Sequence, residues 1–141
     1  MSTTVLYADQ KIGAVKTVSS AETLSIVDSG KTILLDASAG ATITLPALAH
    51  GINFTFKVAA AFATTNWIIA SSEGDNINGI IADMGSTVAG VPASGEDQIN
   101  FVATAETIGD YVTFVADYDN SQWLVNGMCA ANGGITATDP A

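Results

Sequence analysis

The chain has 141 residues, 14 acidic side chains, four lysines and no arginine, for a net charge of −10. That length suits one domain with a core of its own. The charge argues against nucleic acid and anionic membranes as partners, since both draw on clustered Lys and Arg. All four lysines, Lys11, Lys16, Lys31 and Lys57, lie in the first 57 residues, and the net negative charge accumulates after them. This asymmetry predicts a near-neutral side and an acidic side wherever the two sequence halves segregate in space.

In chain order, residues 1 to about 15 read as an N-terminal arm without periodicity. Val5, Leu6, Tyr7 and Ile12 supply apolar anchors, flanked by Lys11 and Lys16. Such a segment gains order by adding to another surface, for example as an extra strand on a neighbour's sheet edge. Nothing in the opening resembles an export signal, and no apolar run is long enough to cross a membrane.

Residues 16–141 read as one all-β domain. Strands are expected at Thr23–Val27, Thr32–Asp36, Thr42–Leu45, Ile52–Ala59, Asn66–Ala70, Ile99–Thr104, Tyr111–Tyr118 and Gln122–Met128. The clearest is Ile52–Ala59, where Ile52, Phe54, Phe56 and Val58 share one face and Asn53, Thr55 and Lys57 the other. Phe114 is expected in the same core. Turn signals such as Asp28-Ser29-Gly30, His50-Gly51 and Asp119-Asn120-Ser121 separate the strands. Many short strands with such turns point to a β-sandwich or jelly-roll-like domain.

Gly74–Gln98 breaks the rhythm and reads as a long loop. Ile77, Ile80, Ile81, Met84, Val88 and Val91 run through it and need a surface to cover, either this domain's own core or a neighbouring subunit. We place them at a subunit interface.

Reactive chemistry is sparse. His50 is the lone histidine and sits at a turn, and Cys129 has no basic neighbour in sequence to activate it. Asp117 and Asp119 fit a hairpin turn better than a two-carboxylate hydrolase. Glu73–Asn78 alternates oxygen-bearing side chains but lacks the closing glutamate of an EF-hand, so an acidic turn is the simpler reading. Trp67 and Trp123 are expected as core or interface anchors, with glycan stacking as the alternative. No catalytic residue, cofactor or metal is assigned.

The segments "KTILLDASAGATITLPALAHGINFTFKV" and "YVTFVADYDNSQWLVNG" resemble small decoration (cement) proteins on the capsids of tailed bacteriophages. The likeness spans about Lys31 to Gly127, and similar phrases occur in phage fibre modules. It implies a non-enzymatic, trimeric structural protein made in the host cytoplasm and placed on the outer surface of the virion. The expected partner is the major capsid protein, contacted through Val5, Leu6, Tyr7, Lys11, Ile12 and Lys16. The alternative is a fibre or receptor-binding module for a host glycan, which requires an exposed Trp67 or Trp123.

Overall fold

A computed structural model describes residues 14–86 and 90–140. Its strands are β1 (Val15–Val18), β2 (Glu22–Thr23), β3 (Thr32–Leu35), β4 (Thr42–Thr44), β5 (Asn53–Val58) and β6 (Trp67–Ala70), followed by β7 (Ile77–Asp83), β8 (Val91–Glu96), β9 (Gln98–Phe101), β10 (Tyr111–Asp117), β11 (Gln122–Cys129) and β12 (Ile135–Thr138). They form a seven-stranded sheet in the order β1-β3-β5-β10-β11-β7-β8 and a five-stranded sheet in the order β12-β9-β6-β4-β2. The inner faces of both sheets contribute to one hydrophobic core, as the all-β sandwich expectation requires.

The first half is wound rather than folded into hairpins. From β1 to β6 the chain alternates between the two sheets, and each strand lies parallel to the one before it in its own sheet. One circuit carries Val15 to Thr32, and the next carries Thr32 to Thr55. A strand of the opposite sheet thus serves as the crossover that a parallel pair needs. Gly40 is required where this winding passes closest to itself, because a Cβ there would collide with the backbone of Asn66 and Trp67. β7 continues in the direction of β5, but the β10–β11 hairpin is inserted between them. A jelly roll is not confirmed, since its Greek keys are antiparallel and β1–β6 are not.

The two halves do segregate. β1, β3 and β5 with β2, β4 and β6 make one flank of the sandwich, and the later strands make the other. At the seam, Phe54 lies opposite Phe114 across the β5–β10 pair, and Phe56 opposite Val112. Phe54, Phe56, Phe114 and Trp123 are fully buried, with ring centroids 5.4 to 6.3 Å apart in tilted and edge-on pairs.

Several expected boundaries change. Thr23–Val27 is not one strand: β2 ends at Thr23, and Ile26–Asp28 form a 3-10 turn on which Ile26 and Val27 stand exposed. Gly74–Gln98 is not a loop, because most of it is the β7–β8 hairpin. Ile77 and Ile81 point inward and are fully buried in the domain's own core, which removes them from the expected subunit interface. Ile80 and Met84 are exposed and Val91 half-buried, while Val88 lies outside the described residues.

Of the expected arm, Val5, Leu6, Tyr7, Lys11 and Ile12 also lie outside the described residues. Val15, at its end, already opens β1. Lys16 is no free arm residue. Its ammonium lies 2.6 Å from Glu22 and 3.3 Å from Asp28, and Lys31 approaches Asp28 at 3.2 Å. The Glu22 contact is the main cause that holds the Lys16 pKa above its ordinary value. Burial alone raises the Asp28 carboxyl, but the Ser25 amide together with Lys31 and Lys16 outweighs it and holds the group below the usual carboxylate range.

Candidate functional site

Two surface features stand out, a sheet face and an end cleft. The face is the outer side of the seven-stranded sheet. Strict alternation sends Val112, Phe114, Trp123 and Val125 inward, so Tyr111, Thr113 and Val115 of β10 and Leu124, Asn126 and Met128 of β11 point out. β7 adds Asn78, Ile80 and Ala82 in register with Leu124, Asn126 and Met128. Ile80 is 66% exposed, Val115 45%, Leu124 43% and Met128 40%, and Met84 and Ile108 extend the apolar surface beyond the strand ends. Those nine outward positions on β10, β11 and β7 carry no charge. On neighbouring β5 the outward residues are Asn53, Thr55 and Lys57, and the Lys57 ammonium lies over the Tyr111 ring at 5.7 Å from its centroid. Asp117 marks the margin at the hairpin end. Hydrogen bonds from Gln122 and Asn120 hold its carboxyl below the ordinary range, which accounts for it as a turn residue.

The cleft lies at one end of the sandwich and has a volume of about 560 Å³. Three connections build it: Leu48 from β4–β5, Glu73 to Asn76 from β6–β7, and Tyr118 and Ser121 from β10–β11. The Leu48 amide donates to Glu73 Oε1 at 2.8 Å and ties the first two connections together. His50 packs against Tyr118 with ring centroids 4.4 Å apart, while Tyr118 stays 50% exposed. Asn76 is more than nine-tenths buried, and its Oδ1 has no hydrogen-bond partner among the described residues. Such groups in folded proteins normally find one.

Beside the cleft, Asp75, Asp97 and Asp139 each bring a carboxylate oxygen within 4.8 Å of the others. The Asp75 amide donates to Asp97 Oδ1 at 2.6 Å. The Asp97 side chain and the charge of Asp139 raise the Asp75 carboxyl, whereas the Asp75 amide lowers that of Asp97. Asn78, grouped with Asp75 by the spacing of the sequence, turns away and donates to Gln122.

Trp67 and Trp123 are both fully buried, so the exposed tryptophan needed for glycan stacking is absent from the described surface. Cys129 is likewise fully buried, and burial pushes its thiol pKa up, leaving it protonated at neutral pH. The apolar sheet face escaped a strand-by-strand reading because its rows come from β7, β10 and β11. The cleft escaped because its lining runs from Leu48 to Ser121. No helix among the described residues is long and apolar enough to cross a membrane. Comparison with family models, curated proteins and solved structures found no match to this chain.

Proposed function

We propose that this chain is a structural decoration protein, which docks through the outer face of its larger sheet onto a phage capsid and clamps neighbouring capsid subunits. The carrying observation is an uncharged sheet face on which Ile80, Val115, Leu124 and Met128 stand exposed around Asn126, on a chain whose net charge is −10. A strongly anionic protein gains solubility and mutual repulsion from its charge. A mainly apolar area kept clear of that charge is the surface that such a protein brings to a partner. The resemblance of Lys31–Gly127 to cement proteins supports the major capsid protein as the partner and a homotrimer as the assembled state. Many weak contacts repeated over a shell supply retention without one tight site.

The test is the double variant Leu124→Glu/Met128→Glu mixed with undecorated capsids of the cognate phage. Both side chains point outward, so the melting temperature is expected to change little, while co-sedimentation with capsids falls at least about tenfold. Undiminished decoration by the folded variant would overturn docking through this face. Capsids that rupture at the same temperature with and without the wild-type protein would overturn the cement role itself.

A further inference from the structure

We propose that Asn132 is a site of spontaneous covalent modification, deamidation to an isoaspartyl or aspartyl residue, which loosens the end of β7 from the turn leading into β12. This inference stands apart from docking through the sheet face. The pair Asn-Gly suits the reaction because a glycine nitrogen meets the least steric resistance on its way to the asparagine side chain. It occurs at Asn78-Gly79, Asn126-Gly127 and Asn132-Gly133. The fold treats the three differently. Asn78 lies in β7 and Asn126 in β11, strands paired on both sides, and Asn78 also donates to Gln122 Oε1. Gly79 lies tight against the backbone of Val125 and Gly127 against that of Tyr111, so neither peptide can turn without parting the sheet. Asn132, by contrast, is exposed in the turn Ala131–Gly134, which the Gly134 amide closes by donating to the Ala131 carbonyl at 3.0 Å. Gly133 has a φ of +73° and open space where a Cβ would stand. The strand that follows, β12, is an edge strand paired with β9. Local opening there costs far less than parting β7 or β11 from their neighbours.

Opening frees the Gly133 N–H, and hydroxide takes its proton. The nitrogen then attacks Asn132 Cγ: the N–Cγ bond forms, the Cγ–Nδ2 bond breaks, and Nδ2 leaves as ammonia with a proton from water. A second water hydrolyses the resulting succinimide. Cleavage at the main-chain carbonyl leaves the chain running through Cγ, one methylene longer, as isoaspartate; cleavage at Cγ gives aspartate. The group consumed has a structural task. In the intact turn the Gly133 amide donates to Asp83 Oδ2 at 2.9 Å and the Gly85 amide to Asp83 Oδ1 at 3.0 Å. One buried carboxylate thus ties the end of β7 to the turn before β12. The succinimide carries no N–H at Gly133, and the longer isoaspartyl chain displaces it. Each leaves a buried carboxylate short of a donor, which is costly.

Ageing the full-length protein in mildly alkaline buffer, followed by peptide mapping and labelling with an isoaspartyl methyltransferase, tests the site. Asn132 is expected to convert at least about tenfold faster than Asn78 or Asn126. The label is expected to appear faster as pH rises and to be absent from this turn in Asn132→Gln. Aged wild-type protein is expected to melt several degrees below fresh protein, while aged Asn132→Gln keeps its melting temperature. Asn132→Asp, which adds the charge but leaves the main chain unaltered, is expected to lose less than the isoaspartyl form. Equal conversion at the three pairs would overturn the proposal. So would an intact Asn132 after a capped Ala-Asn-Gly-Gly peptide has converted fully under the same conditions. An unchanged melting temperature in fully converted protein, or an equal loss in Asn132→Asp, would overturn the link through Asp83.

Discussion

The two halves of this molecule share a core but are built by opposite rules. β1 to β6 shuttle between the sheets and pair in parallel, each with a strand one circuit away. β7 to β12 rely mainly on antiparallel pairs, with hairpins at β7–β8 and β10–β11. A parallel winding has no tight turn to fix its register, so close backbone packing and buried side chains must do so. An antiparallel hairpin carries its register in its own turn, as Asp117, Asn120 and Gln122 do at the tip of β10–β11. The charges follow the same division. Lys16 and Lys31 pair with Glu22 and Asp28 within the wound half, whereas the acidic excess falls in the other.

The largest effect is expected where the halves meet. Phe54 is fully buried at the β5–β10 seam, and its ring contacts those of Phe56 and Trp123. Phe54→Ala is expected to cost about 3–5 kcal/mol in urea unfolding, through lost burial and a cavity that both sheets must tolerate. A loss below about 1 kcal/mol would mean that the halves hold together without the aromatic seam. Gly40→Ala comes next and strikes the winding alone. The added Cβ meets backbone that has no rotamer with which to yield, so a loss of about 1–3 kcal/mol is expected. An unchanged melting temperature would show that the β4–β6 approach is loose enough to admit a methyl group.

These residues also explain what the sequence made legible. β5 was readable because Phe54, Phe56 and Val58 alternate cleanly with Asn53, Thr55 and Lys57. The alternation is identical for parallel and antiparallel strands, so the winding left no mark in it. β7 was hidden because its inward positions are Ile77, Gly79, Ile81 and Asp83, and a glycine and an acid interrupt the apolar period. Gly79 is there because β7 runs close against Val125, where a Cβ has no room. Asp83 is buried but satisfied, accepting from the amides of Gly85 and Gly133. β1 carries no clear strand pattern for a related reason: Lys16 lies within it and is neutralised by residues further along the chain. Ile26 and Val27 misled in the other direction, because they are apolar, β-branched and exposed.

A smaller effect is expected from the ion pairs of the wound half. Asp28→Asn keeps an acceptor for the Ser25 amide but removes the charge that faces Lys16 and Lys31. The expected loss is about 1–2 kcal/mol near neutral pH, modest because both lysines remain partly exposed. The Asp28 carboxyl is depressed in the folded state, so its contribution is complete above the unfolded carboxylate pKa. It is lost as pH falls through the folded value. Wild-type and variant stabilities should therefore converge in acid. A constant gap between the two curves would assign the loss to packing rather than to charge.

The smallest effect, of opposite sign, is expected at the acidic end of the other half. Asp75 titrates high because it shares a hydrogen bond with Asp97 and faces the charge of Asp139. A carboxyl raised on folding disfavours the folded state once it is ionised, so the strain is present at neutral pH and relieved as pH falls through the folded value. Asp139→Asn removes one of the opposing charges while leaving the Asp75–Asp97 hydrogen bond intact. The Asp75 carboxyl resonance is expected to titrate at lower pH in this variant, and the melting temperature to rise slightly at pH 7. That gain should shrink in acid, where Asp75 is protonated in both proteins. It should shrink as well in concentrated salt, because all three groups lie within a Debye length of each other at the surface. The wound half, where Glu22 and Asp28 are paired with lysines, should show no corresponding gain when Asp28 is neutralised. A lower melting temperature for Asp139→Asn at neutral pH would mean that this carboxylate is held by a favourable partner, and that the acidic end is not under self-repulsion.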